Sequence, residues 1–122
     1  MGIPSPFRGR EDVKIVRMWH RVTPESKADA YLDYLKATGV KEYRAIEGNR
    51  GVQVLRSISD GRAEFLTVSF WESFDAVRKF AGDEIDKPFY YPEDKEYLLE
   101  FEPKVVHYEV LVSELDLVDL TP

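Results

Sequence analysis

The chain has 122 residues, 43% hydrophobic and 13% aromatic, a length that fits one domain with enough apolar area for a core. Its formal charge is −6 and it has no cysteine, which argues against a nucleic-acid surface built of clustered Lys and Arg and excludes disulfides, thiolate nucleophiles and cysteine-ligated metals. No apolar run approaches the roughly 20 residues that span a bilayer, and MGIPSPFRGRED lacks the apolar centre of a signal peptide, so a cytoplasmic protein without a membrane or nucleic-acid partner is expected.

Residues 1–12 hold two prolines, two glycines and mixed charge, the composition of a flexible N-terminal arm. A first strand follows over Val13 to Val22, with Val16 and Met18 on one parity and Ile15 and Trp19 on the other. Thr23-Pro24-Glu25 has the chemistry of a helix start. Ala28, Tyr31, Leu32 and Leu35 keep helical spacing up to Gly39, which is expected to close the helix as a left-handed cap. Lys41 to Gly48 is expected as a strand edge, with a turn or bulge at Gly48-Asn49-Arg50-Gly51.

Val52 to Arg56 alternate toward Ser59-Asp60-Gly61-Arg62, where Asp-Gly predicts a hairpin. The returning strand, Arg62 to Trp71, puts Phe65 and Trp71 on one face and Leu66, Val68 and Phe70 on the other. Ser73 caps a second helix with the stripe Phe74, Val77 and Phe80, and Gly82 ends it. An aromatic segment follows, in which Pro92 and Asp94 introduce a short helical turn ending near Leu99. Pro103 to Val112 is the last strand, and 113–122 is an acidic tail. One domain thus spans 13–112, in the order βαββαβ. That order is the ferredoxin-like α+β arrangement, an antiparallel sheet with both helices on one face. Strands apolar on both faces leave the second face to a partner, so a homodimer joined sheet to sheet is expected.

The motifs WHRVTPESKADAYLDYL, FWESFDAVRKFAG, YYPEDKEYLL and VVHYEV resemble the antibiotic biosynthesis monooxygenase family of the dimeric α/β barrel superfamily, from about Ile15 to Val112. The resemblance implies a ligand pocket between helices and sheet, and activities ranging from cofactor-free oxidation of phenolic polycycles to haem degradation. The haem-degrading branch carries an Asn-Arg pair late in strand one, a Trp at the end of strand three and an iron-binding His beyond it. Trp71 matches the Trp. His20-Arg21 stands in the place of Asn-Arg, and the segment expected to hold the iron ligand reads Asp86-Lys87-Pro88-Phe89-Tyr90-Tyr91, without histidine.

Each candidate site residue has two readings. Trp71 and Phe74 either bury area in the core or stack on a planar aromatic ligand. Tyr90 and Tyr91 either present hydroxyls to that ligand or roof the core, with Pro92 fixing their geometry. His107 lies two residues from Glu109 on one strand face; a carboxylate beside the ring would favour its protonated form. His107 or His20 would be the general base that draws a proton from a phenol or anthrone, or both would be structural. The histidines lack helical metal-ligand spacing, so no metal and no cofactor are expected. The leading expectation is a cofactor-independent monooxygenase acting on a small planar phenol, quinol or anthrone. The alternatives are a noncatalytic dimer that binds a small molecule or a protein and, further off, a haem-degrading enzyme.

Overall fold

A computed structural model describes residues 13–88 and 90–115. The expected arm over 1–12 and most of the tail, 116–122, lie outside the described residues, as does Phe89. Five strands form one antiparallel sheet. β1 (Ile15–Pro24) lies at its centre, β3 (Arg62–Trp71) pairs with it on one side, and β2 (Asn49–Ser59) pairs with β3. On the other side β1 is paired by two short strands in succession, β4 (Glu100–Phe101) and β5 (Val106–Glu109). Helices α1 (Ala28–Ala37), α2 (Gly39–Ala45) and α3 (Phe74–Ala81) connect the strands. The strand order is that of the ferredoxin-like α+β fold.

The hairpin forms where expected. Asp60 and Gly61 take φ of 54° and 74°, the left-handed pair that a two-residue turn of matching twist demands. The register slips between Asn49 and Gly51, placing a bulge at the glycine pair. Ser73 caps α3 by accepting a bond from the Ala76 amide, and Gly82 ends that helix at φ 79°.

Four local expectations are corrected. Thr23 does not cap a helix, because β1 runs on to Pro24. The Thr23 hydroxyl is buried and donates to the Pro24 carbonyl, so α1 starts only after a single 3-10 turn at Glu25–Lys27. Gly39 is not a left-handed cap. The break falls on Thr38, at φ −120° and ψ −91°, and Gly39 opens α2. The expected strand edge over Lys41 to Gly48 is therefore mostly helix, held by burial of Tyr43 against Trp71 and Phe80, a tertiary contact that local pattern does not contain. The last strand is also shorter than Pro103 to Val112: the Val105 amide bonds the Asp86 carbonyl outside the ladder, and Glu100–Phe101 pairs separately.

Alternation divides β1 in an unusual way. Ile15, Arg17, Trp19, Arg21 and Thr23 are all buried on the helix side. Opposite them on β3 stand Ala63, Phe65, Thr67, Ser69 and Trp71, also buried. The apolar core is split into two clusters. One is Ile15, Tyr43, Trp71, Ala76 and Val77; the other is Ala28, Tyr31, Leu35, Ala63 and Phe65. Polar Thr67 and Ser69 sit between them along β3. On the other sheet face, Val16, Met18, Val68 and Phe70 are joined by Val106 and Tyr108 at the edge.

Gly48 joins the two layers closely. Its φ is +93°, and a Cβ there would stand 2.5 Å from the Ala76 Cβ of α3. Gly61 shares the positive φ, but nothing lies within 4 Å of its missing Cβ. Gly48→Ala is accordingly expected to cost about 2 kcal/mol or more and Gly61→Ala about 1 kcal/mol, a ranking read from urea denaturation midpoints.

Candidate functional site

Between the two core clusters lies a cavity of about 30 Å³, bounded by β1 and β3 below, α1 and α2 above, and the 3-10 turn Pro92–Glu96 at the side. Its walls are mainly aromatic and aliphatic: Trp19, Tyr31, Leu35, Tyr43, Phe80 and Tyr91. Three polar side chains face into it as well, Arg21, Thr67 and Asp94. The volume suffices for a water or two, so any larger occupant requires the wall to move outward.

Arg21 is 1% exposed. Strand alternation drives it inward, and its donors are met entirely by neutral groups. Nε donates to the Tyr31 hydroxyl at 2.7 Å, Nη2 to Thr67 Oγ1 at 2.7 Å, and Nη1 to the Trp19 carbonyl at 3.1 Å. The guanidinium also stacks 4.4 Å from the Trp19 ring centroid. Among the described residues no carboxylate forms an ion pair with it. A buried cation without a counter-ion is costly, and a ligand that brings an anionic oxygen recovers part of that cost.

Asp94 is the other buried charge, 2% exposed. Its Oδ2 accepts the Tyr91 amide at 2.7 Å, closing the first turn of the 3-10 helix. Burial pushes the Asp94 carboxyl above the usual carboxylate range, and the Tyr91 amide and the Arg21 charge pull the other way. Burial also raises the Tyr31 hydroxyl, against the Arg21 charge, so Tyr31 remains a neutral phenol where it meets the guanidinium.

A second polar cluster lies toward the other end of β1. Arg17, 2% exposed, donates through Nη1 to the Ile85 carbonyl at 2.5 Å and through Nη2 to the Lys87 carbonyl at 3.1 Å, tying down the segment after α3. Nη1 also stands 3.1 Å from His107 Nε2, so that ring nitrogen is the acceptor and the proton belongs on Nδ1, which faces Asp86 at 3.8 Å. Burial, reinforced by the Arg17 charge and opposed by Asp86, pushes the His107 imidazole below its usual value. The expectation that Glu109 would favour the protonated ring is corrected: Glu109 is exposed, and Arg17 is the ring's bonded neighbour.

The structure does not gather the expected site residues into one place. Tyr91 lines the cavity. Trp71 is fully buried, donates its indole N–H to Ser69 Oγ at 2.8 Å, and packs on Tyr43 and Phe80, which do line the cavity. Phe74 lies beside His107, 5.9 Å between ring centroids. Tyr90 is exposed and tilts onto Phe101. His20 is on the far face of the sheet, paired with Glu64 at 2.9 Å. Sequence reasoning did not offer Trp19, Thr67 or Asp94 as site residues, and met Arg21 only beside His20 in the place of the Asn-Arg pair. The available signal was parity: two arginines share the inward phase of Ile15 and Trp19, a pattern that no solvated face explains.

Among the described residues no cluster of three or more His, Asp or Glu side chains is placed to hold a metal ion, and no helix is long and apolar enough to cross a membrane. Among the described residues no histidine or methionine lines the cavity, and the hydroxyls of Tyr31, Tyr43 and Tyr91 are the nearest approach to a haem ligand there.

Residues 13–84, more than half of the chain, match the family model described as antibiotic biosynthesis monooxygenase. No curated protein matches the chain closely. Solved structures share the fold. A putative antibiotic biosynthesis monooxygenase from Bacillus cereus is 15% identical, with a TM-score of 0.61 over 85% of this chain and 99% of its own. The ActVA-Orf6 monooxygenase of Streptomyces coelicolor, solved with nanaomycin D, is 16% identical, with a TM-score of 0.57 over 87% and 95%. A MhuD mutant carrying two manganese protoporphyrins per active site is 18% identical, with a TM-score of 0.55 over 84% and 99%.

The His107 environment has a measurable consequence. Because the folded value is depressed, the unfolded chain binds more protons between the two values. The stability that neutral His107 contributes is present above its unfolded value near 6.5 and is lost as pH falls through the lower folded value. Thermal melts of the parent should show this acid-side decline, and His107→Gln should flatten it.

Proposed function

We propose that this chain, which belongs to the antibiotic biosynthesis monooxygenase family, is a cytoplasmic cofactor-independent oxygenase that oxidises a small phenol, quinol or anthrone-like compound in the cavity beneath α1 and α2. The observation that carries the reading is the aromatic-walled cavity with a buried guanidinium and a buried carboxyl in its lining. Aromatic walls suit a planar substrate, and a few fixed polar groups suit its orientation. Loss of a proton from such a compound gives an electron-rich anion. The anion reduces oxygen by forming a carbon–oxygen bond to give a hydroperoxide, and expulsion of water leaves a carbonyl, so that CH2 and O2 become C=O and H2O with no outside reductant.

The two histidines offered by the sequence stand outside the cavity lining, and in this reading they serve the scaffold. His107 helps Arg17 hold the segment after α3, and His20 pairs with Glu64 on the open sheet face. The reading also includes a homodimer. Val106 and Tyr108, 46% and 56% exposed, extend an apolar sheet face of the kind that partners cover, and a two-fold pairing of those faces is the simplest closed assembly.

Oxygen uptake by chelator-treated protein against a panel of phenols, quinols and anthrones tests the activity. Uptake above the protein-free rate is expected for at least one compound, and Val54→Phe, which fills the cavity from β2, should abolish it. Loss of a general base costs about 10²-fold or more, whereas His107→Ala is expected to retain uptake within a few-fold; a full base-sized loss would return the role to His107. Sedimentation velocity should give a dimer for the parent and a monomer for the double variant Val106→Lys, Tyr108→Lys.

A further inference from the structure

The cavity holds two charges of opposite sign that do not meet. Arg21 projects from β1 and Asp94 from the 3-10 turn; both line the same small space and both are at least 98% buried. Opposite charges in a dry interior attract strongly, yet no ion pair within 4 Å joins them among the described residues. Each is held back by neutral partners, Arg21 by Tyr31, Thr67 and the Trp19 carbonyl, Asp94 by the Tyr91 amide.

We propose that Arg21 and Asp94 are the proton-transfer pair of this cavity: it takes a planar aromatic compound with an ionisable hydroxyl or enolisable carbonyl, Asp94 accepts its proton, and Arg21 holds the anionic oxygen. The inference rests on the oxygenase reading and names its substrate class and its base. In the transfer the O–H or C–H bond breaks heterolytically. The electron pair stays with the substrate and is delocalised onto its oxygen, and the proton passes to the Asp94 carboxyl. No oxidant takes part.

Charge conservation favours the step. Before transfer the cavity holds one guanidinium and one carboxylate; afterwards it holds the guanidinium, a substrate oxyanion and a neutral carboxyl. The net charge in the low-dielectric space is unchanged, so the penalty for adding an unpaired buried ion does not arise. Arg21 presents its donors in a rigid planar fork suited to an oxyanion, and the Tyr31 and Thr67 hydroxyls that now accept from it are able to rotate and donate to the same oxygen. Trp19, Tyr43 and Phe80 are aromatic side chains of the wall beside them. The groups around Asp94 are Arg21 from β1, Tyr31 and Tyr34 from α1, and Glu93 and Tyr91 on its own turn, with Glu42 of α2 beside Tyr91. Of these, the Tyr91 amide, Arg21 and the Tyr34 hydroxyl favour the carboxylate, and burial and Glu93 favour the protonated form that the transfer creates.

The test uses 4-nitrophenol under argon, at a pH below the value at which it ionises in water, so that binding and ionisation are read without turnover. Absorbance reports the ionised fraction, and calorimetry in two buffers of different ionisation enthalpy counts the protons released. The parent is expected to bind the probe as phenolate and release almost no proton, because Asp94 keeps it. Asp94→Asn should still bind the phenolate but release nearly one proton per probe. Arg21→Gln should bind about tenfold or more weakly and leave the probe neutral. A neutral bound probe in the parent, full proton release by the parent, phenolate retained in Arg21→Gln, or no saturable binding at all would overturn the inference. Should Arg21→Gln fail to fold, the proton counts of the parent and Asp94→Asn decide the matter. Since 4-nitrophenol is not turned over, this result stands apart from oxygen uptake: a pair that passes here without uptake on any compound separates the acid–base site from the oxygenase reading.

Discussion

The interior of this protein is governed by the need to house two arginines of one strand that have no close carboxylate partner among the described residues. Arg17 and Arg21 follow the inward phase of β1 and lie where a sheet–helix layer is usually apolar. A guanidinium has five donors and no acceptor, and an unmet donor in a dry interior is expensive. Much of the neighbouring architecture can be traced to that demand. Thr67 stands between apolar residues of β3 and accepts from Arg21; Tyr31 turns its hydroxyl down from α1 to do the same. The carbonyls of Ile85 and Lys87 are drawn toward Arg17, which fixes the course of the chain after α3. The core divides into two apolar clusters, and the cavity occupies the space between them.

The two histidines illustrate how environment sets the role of a side chain. His20 is partly exposed and paired with Glu64 on the open sheet face. His107, its side chain 6% exposed, receives a bond from a cation and is kept neutral. Composition treats them alike, and the packing around each makes them different groups. The same applies to the carboxylates: Glu64 is solvated, whereas Asp94 is folded beneath α1 and α2 and is driven toward its protonated form.

Much of the fold was legible because it rests on local rules. The Asp60-Gly61 turn, the Ser73 cap, the Gly82 stop and the Pro92 turn all appear where their chemistry places them. Period-two alternation gave the faces of β1 and β3 correctly. What escaped depends on contacts between distant segments. α2 forms because Tyr43 finds Trp71 and Phe80, and the last strand is cut short because the Val105 amide turns to Asp86. The cavity was expected between helices and sheet, but its polar members were not: His20 and His107 drew attention by residue type, and Arg21 and Asp94 gain their chemistry only from burial. Fold similarity at 15–18% identity carries the scaffold between proteins and leaves such side chains to be found one at a time.

The break at Thr38 sets a toll on whatever enters the cavity. α2 has seven residues, well short of the roughly 12–15 at which a helix begins to hold itself together in water, and it contributes Gly39, Val40 and Tyr43 to the wall. Burial of Tyr43 and the bond from Arg44 to Asn49 Oδ1 hold it to the body, and admitting a larger occupant means displacing it from those contacts. Each occupant larger than a water or two pays that same opening cost, which scales down every apparent affinity by one common fraction. Selectivity between two occupants is then a comparison made inside the chamber, and absolute tightness is a property of the door.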